Sequence, residues 1–356
     1  VSSPTPGEDG VSSASRASAE TTDAVPSAGG AKVLIVGSGV SGLACALRLA
    51  EAGFAVESWE KRDVAHEVSS VAAAIWYPYK AGPKDRVERW ALETLVELER
   101  LALDPTTGVR LVRGIEWFPA GVEVRDCLRR VPEYRELRPD ELRPDRTHAI
   151  ALRVPVVDMA LFLPWLRARC IERGVRFVRR EIRSLDEAID ACPLVVNCTG
   201  LASRELAHDD ELVPIRGQVL RIPGHFARDF VIDENCPDGL CYVVPRGRDV
   251  VIGGSAVEGR EDLAPDGHET AGILARARRH LPDLTIDDVH ETKVGLRPGR
   301  ATVRLEAEVP RAGRLVIHDY GHGGAGVTLA FGCAGEVARL ARKLPVEAES
   351  VPREGP

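Results

Sequence analysis

Lys32-Val33-Leu34-Ile35-Val36-Gly37-Ser38-Gly39-Val40-Ser41-Gly42 decides the fold. Val33 to Val36 is a short unbroken apolar run, the pattern of a strand buried on both faces. Gly37, Gly39 and Gly42 follow at GxGxxG spacing. Leu43, Ala46, Leu47, Leu49 and Ala50 then recur at helical spacing as far as Gly53, a C-capping glycine. Phe54 to Trp59 reads as the next strand, with Glu60 at its end, eighteen residues beyond Gly42. Strand, glycine turn, helix, strand and acid in that order predict a dinucleotide-binding unit. The glycines let a pyrophosphate approach the backbone, where the N–H groups of the helix N-terminus meet its charge. Glu60 is placed to accept hydrogen bonds from a ribose diol. The motif by itself does not separate FAD from NAD.

The rest of the chain sets the frame around this unit. Its 356 residues are enough for two domains and for a large core without disulfide staples. Apolar residues make up 44% and charged residues 28%, an ordinary soluble-globular balance. The formal charge of -7, from 47 basic and 54 acidic residues, argues against nucleic acid as a partner, because binding phosphates needs a basic face. No run of about 18 apolar residues is present, so no membrane span is expected. The eight cysteines form no CxxC pair, which speaks against a zinc ribbon or a disulfide scaffold and for buried thiols. Cys236 and Cys241 are the one pair close enough for a local loop bridge. Residues 1–30 and 346–356 are expected to be tails. Neither carries a secretory or peroxisomal signal, so a cytoplasmic location is expected.

Helices are expected over 86–104, 158–173, 269–281 and 327–344 from their apolar spacing. Strands are expected at Val175–Val178, Leu194–Cys198, Gln218–Ile222, Leu240–Val244, Val250–Gly253 and Leu315–Ile317, with short strands and turns through 111–150. His318 and His322 are four apart, but glycines surround them and no helix puts them on one face. A zinc site is therefore rejected, and no metal is expected. No Gly-x-Ser-x-Gly elbow occurs.

The segment Leu315-Val-Ile-His318-Asp-Tyr320-Gly-His-Gly-Gly-Ala-Gly326-Val-Thr328 repeats the theme of a strand, a glycine-dense turn and a helix start. A second anion-favouring helix N-terminus thus returns to the nucleotide domain. This segment resembles the signature of the D-amino acid oxidase family. Gly295-Leu-Arg297-Pro298, Tyr242-Val-Val-Pro245 with Val251-Ile-Gly-Gly254, Val71-Ala-Ala-Ala-Ile75-Trp76-Tyr-Pro78-Tyr79 and Arg216-Gly217-Gln218 resemble further family segments. The matches run in order from about Lys32 to Leu344.

The resemblance implies a mixed α/β and α+β fold. In it a Rossmann-type FAD-binding domain (31–75, 151–213 and 291–345) is interleaved with an antiparallel-sheet substrate domain (76–150 and 214–290). It implies oxidative deamination of D-amino acids with noncovalent FAD and O₂. Arg297 and Tyr242 would hold the substrate carboxylate, and the Gly324 carbonyl the amine. Gly37, Gly39, Val40, Ser41, Gly42, Glu60, Lys61, Ser69, Ser70, Ala74, Ile75, Ile182, Thr199 and Gly200 would contact FAD. So would Arg297, Gly323, Gly324, Ala325, Gly326, Val327 and Thr328, the last few near the flavin O2. A homodimer is the assembly held open. Two positions depart from the family pattern: Asp238 stands where some members carry a lid tyrosine, and Ala325 where some carry an aromatic. Ala256 occupies the place of a D-aspartate oxidase arginine, which favours neutral, apolar substrates; Arg246 could substitute for it in principle. D-aspartate oxidase, glycine or amine oxidase, a non-catalytic flavin-binding regulator and a nicotinamide dehydrogenase are the alternatives.

Overall fold

The computed structural model describes residues 30–61, 68–119, 121–234, 236 and 239–343. The tails, apart from Gly30, and Asp238 lie outside them. In chain order the strands of the first sheet are β1 (Lys32–Val36), β2 (Ala55–Glu60), β6 (Arg176–Arg179), β7 (Leu194–Asn197), β14 (Arg304–Arg311) and β15 (Arg314–Tyr320). The second sheet holds β3 (Val109–Phe118), β4 (Arg135–Glu136), β5 (His148–Val157), β8 (Val213–Pro223), β9 (Phe230–Asp233), β10 (Cys241–Pro245), β11 (Asp249–Gly253), β12 (Val257–Glu258) and β13 (Glu291–Gly299). The helices are α1 (Val40–Glu51), α2 (Lys84–Leu101), α3 (Met159–Glu172), α4 (Leu185–Ala191), α5 (Ser203–Leu206), α6 (Gly267–Ala277) and α7 (Gly326–Lys343).

The first sheet runs β14-β15-β7-β1-β2-β6 and is parallel except for the β14 edge. Alternate residues of β1 feed two cores. Val33 and Ile35 pack with Leu43, Leu47 and Leu329, while Leu34 and Val36 pack with Leu185, Ile189 and Val316. Burial on both faces is why this strand reads as a continuous apolar run. The second sheet runs β12-β8-β11-β10-β9-β3-β5-β4, with β13 paired to β8. Its pairs are antiparallel apart from β3 with β9. Helix α6 covers part of one face, burying Ile273, Leu274 and Ala277 against Leu220, Val243 and Ile252.

Helix starts follow local chemistry. Asp158 accepts from the Ala160 amide to cap α3, and Asp266 accepts from the His268 and Glu269 amides to cap α6. Gly53 sits just beyond α1 at φ +91°. Strand length is where the structure departs from expectation. The region read as short strands and turns opens on a ten-residue strand, β3, and ends on the first residues of another, β5, which pairs with β3 along its length. Exposed Arg110 and Arg113 interrupt the apolar pattern of β3, and its partner supplies the continuity. Strand β13 was not expected as a strand. It shows no alternation because eight of its nine residues are half-buried, and Gly295 through Pro298 line a cavity. Strands β5 and β13 both belong to the second sheet, so the chain changes sheet near residues 158 and 300 rather than at 151 and 291.

Candidate functional site

A cavity of about 590 Å³ lies between the two sheets, within the range of small-ligand sites. One end is built on the β1–α1 turn. Gly37, Gly39, Val40 and Ser41 line it, joined by Trp59 in β2, Lys61 just after it, Ile182, and Thr199 and Gly200 after β7. A Cβ on Gly42 would fall on the Gly37 carbonyl oxygen, so the turn closes only with glycine at 42. Helix α1 has no acidic residue in its first turn and no side-chain cap bond at Gly39. Its first amide, Val40, donates to Ser69 Oγ at 3.1 Å. With no acid in its first turn, this dipole end suits a pyrophosphate.

Glu60 does not line the cavity but stands between Trp59 and Lys61, which do. Its Oε1 accepts from Arg167 at 2.8 Å, while its Oε2 is buried without a hydrogen-bond partner among the described residues. A buried carboxylate oxygen needs a donor. A ribose hydroxyl is such a donor, and together with the acid-free helix N-terminus it makes these residues fit a dinucleotide.

The middle of the cavity is formed by Ala74, Ile75, Tyr77 and Tyr79 facing Gly323, Gly324, Gly326 and Val327. Thr328 Oγ1 both donates to the Tyr77 carbonyl and accepts from the Tyr77 amide, each at 2.9 Å. Its hydroxyl therefore fixes the 74–79 segment rather than facing the cavity. Gly42, Glu60, Ser70, Ala325 and Thr328 stand behind the lining; the other expected cofactor residues are in it. The two histidines separate: His318 contacts Asn197 and Glu308, and His322 contacts Asp319.

The far end holds Arg297 and Tyr242, brought together by two different strand pairs. Arg297 lies across β8, where a Cβ on Gly217 would strike its guanidinium, and its Nη1 donates to the Ser255 carbonyl at 3.1 Å. The Tyr242 ring lies over its register partner Gly253, where a Cβ would fall on the ring. Burial pushes the Tyr242 phenol up while the neighbouring Arg297 opposes the shift, so the phenol stays a donor. Gly324 is exposed between buried neighbours. Arg246 is directed elsewhere, in a two-point pair with Asp249 at 3.0 and 2.7 Å. Neither it nor Ala256 lines the cavity. All eight cysteines, Cys236 and Cys241 included, are free buried thiols.

Sequence reasoning missed the acid wall at this end. Glu234 lines the cavity, and Glu116, 2% exposed, stands behind it. The Tyr77 hydroxyl donates to Glu116 in a short bond and also contacts Glu234. No local sequence signal marks either acid: Glu116 is buried because β3 is flanked by β5 and β9. Burial pushes Glu116 up to about 8 from its ordinary 4.5, Tyr77 opposing and Glu234 adding to the rise. Between those values the folded protein keeps a proton that the unfolded chain has lost, so this group's contribution to stability falls as pH rises. The slope is at most about 1.4 kcal/mol per pH unit. Denaturant unfolding of Glu116→Gln against the parent at pH 5 and pH 8 should show the variant gaining relative stability at the higher pH. A difference that does not change with pH would rule this out.

The family model described as FAD dependent oxidoreductase matches residues 32–340. The chain is 43% identical over 312 residues to the D-amino-acid oxidase of Rubrobacter xylanophilus, spanning 87% of this chain and 96% of that protein. It is 38% identical over 314 residues to the D-amino-acid oxidase of Streptomyces coelicolor, spanning 87% and 96%. Among solved structures, glycine oxidase from Geobacillus kaustophilus shares the fold with a TM-score of 0.71 at 20% identity, over 90% of this chain and 98% of that one. With the glycine turn, the orphaned Glu60 oxygen and the second helix N-terminus opening on one cavity, the chain belongs to the D-amino-acid oxidase family of FAD-dependent oxidoreductases.

Proposed function

We propose that this protein oxidises D-amino acids with uncharged side chains, in preference to D-Asp and D-Glu, to 2-oxo acids, ammonia and H₂O₂. The observation that carries the reading is the pairing of Arg297 with Tyr242 in the cavity onto which the dinucleotide turn opens. Bound in this cavity, FAD would supply a hydride acceptor for the substrate Cα–H and a route for two electrons to O₂. The protein's part is positioning. Arg297 offers a two-point fork for the substrate carboxylate, a geometry that lysine lacks. Tyr242 donates its phenol to the same carboxylate, and the Gly324 carbonyl accepts from the amine. With carboxylate and amine both fixed, one enantiomer alone aims its Cα–H at the flavin while its side chain enters the pocket. The amides at Gly326 and Val327, where α7 starts, would favour negative charge on a flavin pyrimidine ring held against them. No side chain need act as a base if the amine arrives neutral.

Acidic substrates are disfavoured because Arg246 is tied to Asp249 outside the cavity, and Glu234 would repel a second carboxylate. No described helix is long and apolar enough to cross a membrane; we infer a cytoplasmic enzyme. We assign the cofactor chiefly to the first sheet and the substrate chiefly to the second.

Peroxide release across a panel of D- and L-amino acids tests the reading. D-Met, D-Val and D-Ala should exceed D-Asp and D-Glu in kcat/KM by at least about tenfold, and L-isomers should be inert. D-Asp as the best substrate would replace this reading with that of a D-aspartate oxidase, and no peroxide from any amino acid would leave a flavin-binding protein without turnover. The flavin should be noncovalent: among the described residues the lining holds one cysteine, Cys198, a buried free thiol, and one histidine, His322, which is tied to Asp319. Acid precipitation should send all the yellow colour into the supernatant; colour kept in the pellet would contradict this.

A further inference from the structure

We propose that Cys45, Cys198 and Asp319 form a buried binding site for a thiophilic divalent ion of the zinc class, beneath the dinucleotide turn. The inference goes beyond the oxidase reading and does not depend on it.

Geometry is the first support. Cys45 lies in the middle of α1, Cys198 directly follows β7, and Asp319 is in β15. Strands β7 and β15 are neighbours with Asn197 opposite His318, which brings Cys198 level with Asp319. One ligand atom from each of the three residues lies within 4.8 Å of the other two. Asp319 Oδ2 accepts from Cys45 Sγ at 3.3 Å and from Cys198 Sγ at 4.0 Å, and the two thiols contact each other. Around a four-coordinate zinc, sulfur and oxygen ligands stand roughly 3.3–4 Å apart, so these atoms need little movement to enclose an ion. The Cys198 carbonyl packs against Gly37, which puts the site directly under the glycine turn. Cys45 and Asp319 are 274 positions apart, and so no metal-ligand spacing shows in the sequence.

Chemistry is the second. Cys45 is 0%, Asp319 1% and Cys198 8% exposed. Among the described residues no lysine or arginine lies within 4 Å of Asp319, and His322 is the one basic side chain in contact with it. A buried carboxylate is ordinarily paired with a cation or bound to a metal, and thiols are weak donors to it. His322 Nε2 meets the other oxygen, Oδ1, at 3.1 Å, which fixes the carboxylate with Oδ2 turned to the thiols. Two sulfurs and one oxygen suit zinc and its softer relatives and disfavour Mg²⁺ and Ca²⁺. As the ion binds, each thiol releases one proton to solvent and its sulfur bonds the metal; no electrons move. Cys198 and Asp319 also line the cavity, which gives the ion a way in. Asp319, His322 and Cys333 form a second triad around the same carboxylate, but it offers a single thiol and is the weaker set for a soft ion.

The test is the metal content of the holoenzyme. Protein produced with Zn²⁺ in the medium and dialysed against metal-free buffer should keep about one zinc per chain by elemental analysis, whereas Mg²⁺ supplied in the same way should be lost. Cys45→Ser keeps the size of the side chain and a hydrogen bond to Asp319 but removes a sulfur ligand. It should weaken zinc binding about tenfold or more in competition with a chromogenic chelator, and Cys333→Ser should match the wild type. If Cys45→Ser folds poorly, the wild type decides, because its thermal midpoint should rise with added Zn²⁺ and not with added Mg²⁺. The inference is overturned by a wild type that keeps no zinc and shows no such rise, or by a Cys45→Ser that holds zinc as tightly as the wild type. Zinc lost in Cys333→Ser but kept in Cys45→Ser would overturn it too, in favour of the other triad.

Discussion

Arg297→Ala should lose about thirtyfold to several thousandfold in kcat/KM for D-amino acids while FAD stays bound. The estimate follows from truncating one partner of a desolvated charge pair, which costs about 2–5 kcal/mol, with each 1.4 kcal/mol worth a factor of ten. The site is built around this side chain. Gly217 leaves the face of β8 open beneath the guanidinium, the Ser255 carbonyl anchors Nη1, and the Tyr242 phenol stands alongside. Alanine would leave the carboxylate with Tyr242 alone. Arg297→Lys should rescue only in part, because a point charge on a flexible stem cannot make two parallel bonds. Steady-state peroxide assays, with the flavin absorbance read on the same sample, check both halves of the expectation. Wild-type kcat/KM in Arg297→Ala would remove the carboxylate assignment, and a colourless protein would show that Arg297 acts through cofactor retention.

The second large effect is expected at the other end of the cavity. Gly42→Val should abolish stoichiometric FAD binding and lower stability by several kcal/mol. Its Cβ would fall on the Gly37 carbonyl oxygen, a backbone atom with no rotamer by which to retreat. The backbone of Gly37 is itself packed against Cys198 at the end of β7, since a Cβ there would meet the Cys198 carbonyl. Relief therefore requires α1 to move off the sheet. That movement opens the contacts of Leu43 and Leu47 with β1 and α7 and costs roughly 1–3 kcal/mol or more for overpacking alone. The measurement is bound flavin per chain together with the thermal midpoint. A yellow, fully loaded Gly42→Val with an unchanged midpoint would show that the turn has room that this geometry denies.

These two positions differ in how much the sequence reveals about them. Gly42 belongs to a local pattern. Strand, turn, helix and acid follow within about thirty residues, and each has a short-range cause: two-sided burial, close approach of backbone segments, helical apolar spacing. Arg297 carries no comparable local signal. Its strand alternates neither as a buried nor as a half-exposed one, because part of it lines a cavity, and only the family resemblance picked it out.

The sequence by itself determined the dinucleotide unit, the capped helices, the second glycine turn and the family with its cofactor. All of these are set by interactions between residues near one another in the chain or by motifs of fixed spacing. Tertiary structure alone decided the length of β3 and β5, the membership of β13 in the second sheet and the direction of Arg246. It also decided that Thr328 spends its hydroxyl on Tyr77. Above all it placed Glu116 and Glu234, 118 positions apart, on either side of the Tyr77 hydroxyl. An acid in or just beyond a strand is normally read as solvated, and nothing within a few residues of either one tells otherwise. Whether a carboxylate faces water or a substrate depends on which strands pair beside it, and that pairing is made by hydrogen bonds between segments far apart in the chain.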